Sequence, residues 1–161
     1  ERYEYIPVDA PLEPTKTYPI SKAAASVALS GWAIDKNVNM QILRIFQVFG
    51  EGESPSRLWP SLRDAALSGS DYPMTMGEQI RDFISVEEVA KSFVRALYFD
   101  GVELASPVIK NVGTGNPQTV LEFSEYWWGK WKAKGQLIVG DIPYRDNEVM
   151  RYVPMVEKSN D

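Results

Sequence analysis

Pro11-Leu12-Glu13-Pro14-Thr15-Lys16-Thr17-Tyr18-Pro19-Ile20-Ser21-Lys22 runs from a proline-broken loop into the first turns of a helix. Prolines at 7, 11 and 14, with no apolar period around them, make residues 1–15 read as an internal loop rather than a natural beginning. Beyond it, Ala24, Val27, Ala28 and Trp32 recur at helical spacing. That predicts a helix over 18–35, with Thr15 or Thr17 as N-cap and Pro19 in the first turn. Tyr18 and Lys22, four apart, share one face of it. The small residues Ala23-Ala24-Ala25-Ser26 let another backbone approach closely, within the fold or across a dimer.

Outward from this helix, strand and helix signals alternate. The apolar, β-branched run over 38–46 reads as one buried strand, and Gly50-Glu51-Gly52-Glu53 after it as a turn. A helix is expected over 56–68, stopped by Gly69-Ser70-Asp71, and extended pieces over 72–76 and 81–85. Glu87 and Glu88 open an amphipathic helix with Val89, Ala90, Phe93, Val94 and Leu97 on one face, and their charge suits its positive end. A strand over 108–112 closes at Gly113-Thr114-Gly115, and a helix over 119–134 carries Trp127, Trp128 and Trp131. At that spacing the tryptophans read as core or dimer packing before they read as a sugar platform. The alternation places the chain in the α/β class.

Composition removes several chemistries. The chain has 161 residues, one ordinary domain's worth, with 44% hydrophobic content. It contains neither histidine nor cysteine, so Ser-His-Asp and Cys-His machinery, zinc sites built on those ligands and disulfides are all excluded. No metal is expected. A net charge of -5 argues against nucleic acid as a partner, because phosphate neutralisation needs clustered cations. No apolar run approaches membrane-spanning length, and a cytoplasmic location is the expectation.

Tyrosine, lysine, serine, threonine and carboxylates remain as proton carriers. A lysine beside a tyrosine favours the phenolate and lowers its pKa from about 10. Reaching neutrality takes roughly three units, about 4 kcal/mol, more than Lys22 alone supplies; a second positive charge such as an oxidised nicotinamide would complete it. Spacing alone does not select this pair, since Tyr126 and Lys130 repeat it.

The surrounding residues do select it. Residues 11–22 resemble the "PL.P...Y..SK" signature of the extended short-chain dehydrogenase/reductases, the NAD-dependent nucleotide-sugar epimerases and dehydratases. In order, Leu43-Arg44-Ile45-Phe46-Gln47-Val48-Phe49-Gly50 resembles the family's "LR..N.YGP". Gly77-Glu78-Gln79-Ile80-Arg81-Asp82-Phe83-Ile84-Ser85 with Val86 to Ala90 resembles "G.Q.RDFI.V.DVA", and Asn111-Val112-Gly113-Thr114-Gly115 resembles "NVG.G".

This resemblance implies Tyr18 as catalytic acid/base for a sugar hydroxyl and Lys22 as the residue that holds the nicotinamide ribose of NAD or NADP. It implies Arg81 and Arg145 as a clamp on the diphosphate of a nucleotide-diphosphate sugar, work suited to planar guanidinium groups. Gln47 stands where the family has a substrate-binding asparagine; Phe49 and Glu51 also depart from the pattern. The implied fold is the C-terminal half of a Rossmann-type doubly wound sheet plus a small α/β nucleotide-sugar-binding domain. Residues 1–50 would end the Rossmann-type part and 51–161 would be mostly substrate region, with 78–115 partly returning to the sheet.

The chain lacks the G-x-x-G-x-x-G turn that cradles a dinucleotide. The family carries that turn, and a catalytic Ser or Thr, upstream of the tyrosine. The expectation is therefore part of an NAD(P)-dependent nucleotide-sugar epimerase, dehydratase or reductase whose N-terminal cofactor half is not in this sequence. Such a protein would be a homodimer, and the strand over 38–46 would leave an apolar edge for a partner segment. The alternative is a non-catalytic nucleotide-sugar-binding or dimerisation module.

Overall fold

Gln41–Ile45 (β1) and Val108–Val112 (β6) pair in parallel, from Gln41 opposite Val108 to Ile45 opposite Val112. The computed structural model, which describes residues 3–157, arranges the rest around this pair. In chain order the elements are α1 (Thr17–Lys36), β1, β2 (Gln47–Phe49), α2 (Leu58–Ser68), β3 (Tyr72–Met74), β4 (Ile80–Arg81), β5 (Phe83–Ser85), α3 (Val86–Ala96), β6, β7 (Gln118–Thr119), α4 (Val120–Lys130), β8 (Leu137–Val139) and β9 (Arg151–Tyr152). β2 pairs with β5 and β3 with β8, both parallel, while β4 lies between antiparallel β7 and parallel β9. The α/β class holds.

The predicted strand over 38–46 pairs only over 41–45, and a second, unexpected strand follows it at 47–49. The chain turns aside at Phe46, so β1 stays with β6 while Gln47–Phe49 joins Phe83–Ser85. At the break the Phe46 N–H still bonds the Val112 carbonyl at 3.2 Å, and its ring stacks on Tyr152, centroids 4.9 Å apart.

Neither Thr15 nor Thr17 caps α1. Lys16 occupies the N-cap with extended backbone and no side-chain cap hydrogen bond, and Pro19 fits the first turn, where its missing N–H costs nothing. At the other end Asn37 adopts a left-handed conformation, φ 54°, and returns its N–H to Ala33 and Ile34. α3 starts one residue before Glu87, on a Ser85 cap that accepts from the Glu88 N–H. α4 ends four residues short of the predicted helix, its carbonyls closed by Trp131 to Ala133 as the chain turns through left-handed Lys132.

Reciprocal bonds between Thr119 and Glu122 form a capping box on α4. Hydrogen bonds from the Thr119 N–H and hydroxyl hold the Glu122 carboxyl below its ordinary range. A depressed carboxyl pKa favours the fold above the unfolded value near 4.5, and that contribution is lost as pH falls through the folded value. Carbon-detected NMR titration is expected to show Glu122 titrating below the ordinary glutamate range, and Thr119→Ala, which removes the hydroxyl bond and keeps the stronger one from the backbone N–H, is expected to raise it only part of the way back.

The core centres on Trp59, Phe83 and Phe123, with Phe49, Trp127 and Trp131 packed on them. Phe83 and Phe123 stack at 3.8 Å, and Trp127 meets Trp59 edge-on at 5.5 Å. Trp127 and Trp131 are thus packing residues, and Trp128 bonds through its indole N–H to the Gly135 carbonyl. A second cluster, Ile84, Val89 and Val112 with Leu43 and Val48, ties α3 to the sheet.

Two surfaces are not covered among the described residues. The expected apolar face of α3 buries only Val89; Phe93, Val94 and Leu97 are exposed. α1 buries only Ala33, with Val27, Leu29, Trp32 and Ile34 exposed, and the β1 edge opposite β6 has no strand partner.

Asp82 is fully buried between β4 and β5. Its Oδ1 accepts from the Thr114 N–H at 2.8 Å and hydroxyl at 2.6 Å, and its Oδ2 from the Gly115 N–H at 2.7 Å. A Cβ on Gly113 would lie 2.5 Å from Pro154 and 2.8 Å from Asp82 Oδ2, so only glycine fits. The blocks over 77–90 and 111–115 are therefore one structural unit, stitched through this carboxylate.

Candidate functional site

The first turn of α1 presents Tyr18 outward, 72% exposed, with no hydrogen-bond partner for its hydroxyl among the described residues. Lys22 follows one turn later and holds its Nζ 5.5 Å from the Tyr18 ring centroid. The Ser21 hydroxyl bonds the Tyr18 carbonyl at 2.8 Å. Both side chains line a groove of about 840 Å³ between α1, residues 10–14 and β1, with Arg44, Phe46, Asn111 and Tyr152 on its wall. Tyr126 and Lys130 repeat the 5.5 Å contact but line neither this groove nor the pocket below; Lys130 lies over Trp127 at 4.5 Å. The groove, not the spacing, separates the two pairs.

Arg81 ends β4 in register with Tyr152 of β9. Its guanidinium donates to the carbonyls of Ile80 at 2.9 Å and Val149 at 2.6 Å and pairs with Glu148 at 3.2 Å, which leaves the side chain 13% exposed. Arg145 opens the loop that supplies those partners, and the Glu148 N–H bonds back to its carbonyl. Lys16, Arg81, Arg145, Asp146, Asn147, Glu148, Val149 and Tyr152 line a pocket of about 450 Å³. Three cations against two carboxylates make its lining net positive on a chain of charge -5.

The sequence-expected residues thus fall into two groups, Tyr18 with Lys22 and Arg81 with Arg145. Gln47 joins neither: it is half-buried on β2, in register with Phe83, and lines neither cavity.

Tyr152 joins the groups by lining both cavities. Burial raises its phenol pKa while Arg44 and Arg81 pull it down, and the net shift is upward. Its hydroxyl therefore stays protonated through neutral pH. Sequence reading missed Tyr152, because strand pairing across some seventy residues brings it to Arg81. It missed Lys16 although that residue stands two before Tyr18. Arg44, held by the Val8 carbonyl at 2.7 Å, was visible only as part of a strand. Asn111 donates to the carbonyls of Ile6 and Met155, and its Oδ1 is buried without a partner. No group of histidine, cysteine or acidic residues among those described is placed to hold a metal.

Against known proteins, a profile of the NAD dependent epimerase/dehydratase family matches residues 3–113. The probable UDP-arabinose 4-epimerase 3 of Oryza sativa subsp. japonica is 33% identical over 139 residues, which is 70% of this chain and 34% of that protein. Among solved structures, the UDP-glucose 4-epimerase of Thermotoga maritima with UDP-glucose superposes with a TM-score of 0.81 at 21% identity, over 94% of this chain and 48% of that one. The dTDP-glucose 4,6-dehydratase DesIV of Streptomyces venezuelae, with NAD and TYD bound, gives 0.76 at 20% identity, over 94% and 46%. At those identities the structures speak for a shared Rossmann-type fold. The chain spans about a third of the rice protein's length and about half of each bacterial one.

Proposed function

The chain belongs to the NAD dependent epimerase/dehydratase family, and on that premise we propose that it forms the substrate side of an NAD(P)-dependent nucleotide-sugar epimerase, dehydratase or reductase. The observation that carries the proposal is the meeting, at Tyr152, of the Tyr18–Lys22 groove with the net-positive pocket of Arg81 and Arg145. A ligand with a sugar hydroxyl in the first and a diphosphate in the second spans both. Residues 1–50 would carry the acid/base helix and 51–161 most of the substrate contacts.

The groove fits the nicotinamide riboside end of NAD(P). It offers an open phenol and an ammonium without an ion pair among the described residues, while the chain has no glycine turn for the dinucleotide's phosphates. The cofactor, when bound, supplies hydride acceptance and return. The protein's part is proton handling and placement. Tyr18 Oη takes the hydroxyl proton as the adjacent C–H leaves as hydride, and returns it in the reverse step. Lys22 would hold the ribose hydroxyls. Arg145 and Arg81 fix the diphosphate, so binding energy far from the reacting carbon orients it. The exposed α1 face around Val27 and Trp32 supports a second copy as its cover.

The test is titration of the protein with UDP-, dTDP-, CDP- and GDP-sugars, followed by NMR of the products formed with NAD(P). One such sugar is expected to bind, and Arg145→Gln is expected to weaken it about 10- to 100-fold, the worth of one or two charge-assisted hydrogen bonds. Absence of binding across the panel would sink the reading.

A further inference from the structure

We infer that Lys16 binds the phosphate nearest the sugar and makes the pocket select nucleoside diphosphates over monophosphates, an assignment that rests on the nucleotide-sugar reading above. Lys16 lines the pocket with Arg145 and Arg81. Two residues, at most about 7 Å of chain, separate it from Tyr18, a tie to the reacting end that Arg145 does not share. A ligand reaching from the Tyr18 groove to Arg145 enters the pocket that Lys16 lines.

Nothing in the fold explains the ammonium otherwise. Its side chain makes no hydrogen bond or ion pair among the described residues, and it leaves α1 uncapped. A cation at a helix start opposes the peptide dipoles, and serine, threonine or aspartate would serve the helix better. A residue that breaks a local rule without a compensating contact marks a site built for something else. The family signature that residues 11–22 resemble leaves this position unspecified.

Equilibrium binding of UDP, dTDP, CDP and GDP and of the matching monophosphates would test the assignment, with the tightest-binding base compared in wild type, Lys16→Gln and Lys16→Ser. Wild type is expected to favour the diphosphate. Both variants are expected to bind it about tenfold more weakly, the equivalent of one charge-assisted hydrogen bond, and the monophosphate within about twofold of wild type. Lys16→Ser is also expected to raise the melting temperature of the ligand-free protein by about 2–4 °C, because serine supplies the absent cap. A purely structural lysine would not give affinity loss together with stability gain. Unchanged diphosphate binding in both variants overturns the role of Lys16 and leaves the nucleotide-sugar reading standing. Wild type that binds none of the nucleotides overturns both.

Discussion

Tyr18→Phe is expected to lower kcat by about 10²- to 10⁴-fold, the span that a positioned general acid/base contributes. The hydroxyl has no partner among the described residues and the ring is 72% exposed, so its removal breaks no structural bond. The variant should keep its melting temperature to within about 0.5 kcal/mol of stability, and its affinity for the nucleotide-diphosphate sugar. That separation makes the measurement decisive, because a fall in turnover with unchanged binding and folding locates the loss at proton transfer. Steady-state kinetics, thermal melts and ligand titration on one preparation supply the three readings. Turnover retained to more than about a tenth would remove Tyr18 from the chemistry. Lys22→Met should weaken the cofactor and lower turnover with it, since the ammonium is assigned to the ribose.

Asp82→Asn is expected to lower global stability by about 3 kcal/mol, seen as a fall in melting temperature of roughly 6–12 °C. The carboxylate accepts from two backbone N–H groups and one hydroxyl inside the fold. An amide replaces one accepting oxygen with an NH₂ that faces those same donors, so buried N–H groups lose their partner and gain a repulsive neighbour. Thr114→Val removes only the hydroxyl bond and should cost about a third as much. A double-mutant cycle should then show the two changes to be strongly non-additive. A shift of less than about 0.5 kcal/mol for Asp82→Asn would mean that the turn is held by something other than this carboxylate.

Legibility in the sequence followed the range of the interactions. α1 and the helix carrying the tryptophans declare themselves through apolar spacing, and the acid/base candidates through a motif that one helical turn brings together. The strand over 38–46 was legible as β1, but the strand that follows Phe46 was not, because its partner lies at 83–85, far off in the chain. The amphipathic pattern of α3 was legible, but not that its face stays largely uncovered, with Phe93, Val94 and Leu97 exposed. Arg81 and Arg145 were found through a resemblance to known enzymes. Tyr152 was not, because its place between the cavities depends on the pairing of β9 with β4. Lys16 was passed over because propensity reasoning searches the start of a helix for a cap, and a residue that fails to cap looks like background.

The carboxylate stitch between Asp82 and residues 114–115 also constrains how this protein can be recombined. A crossover between positions 83 and 112 takes the acceptor from one parent and its donors, with the obligatory glycine at 113, from the other. Chimeras with breakpoints in that interval inherit a mismatched weld unless both parents share the same carboxylate and turn. Breakpoints on either side of 82–115 transmit it whole, so a shuffled library should return its folded members with those thirty-odd residues passed on as a single block.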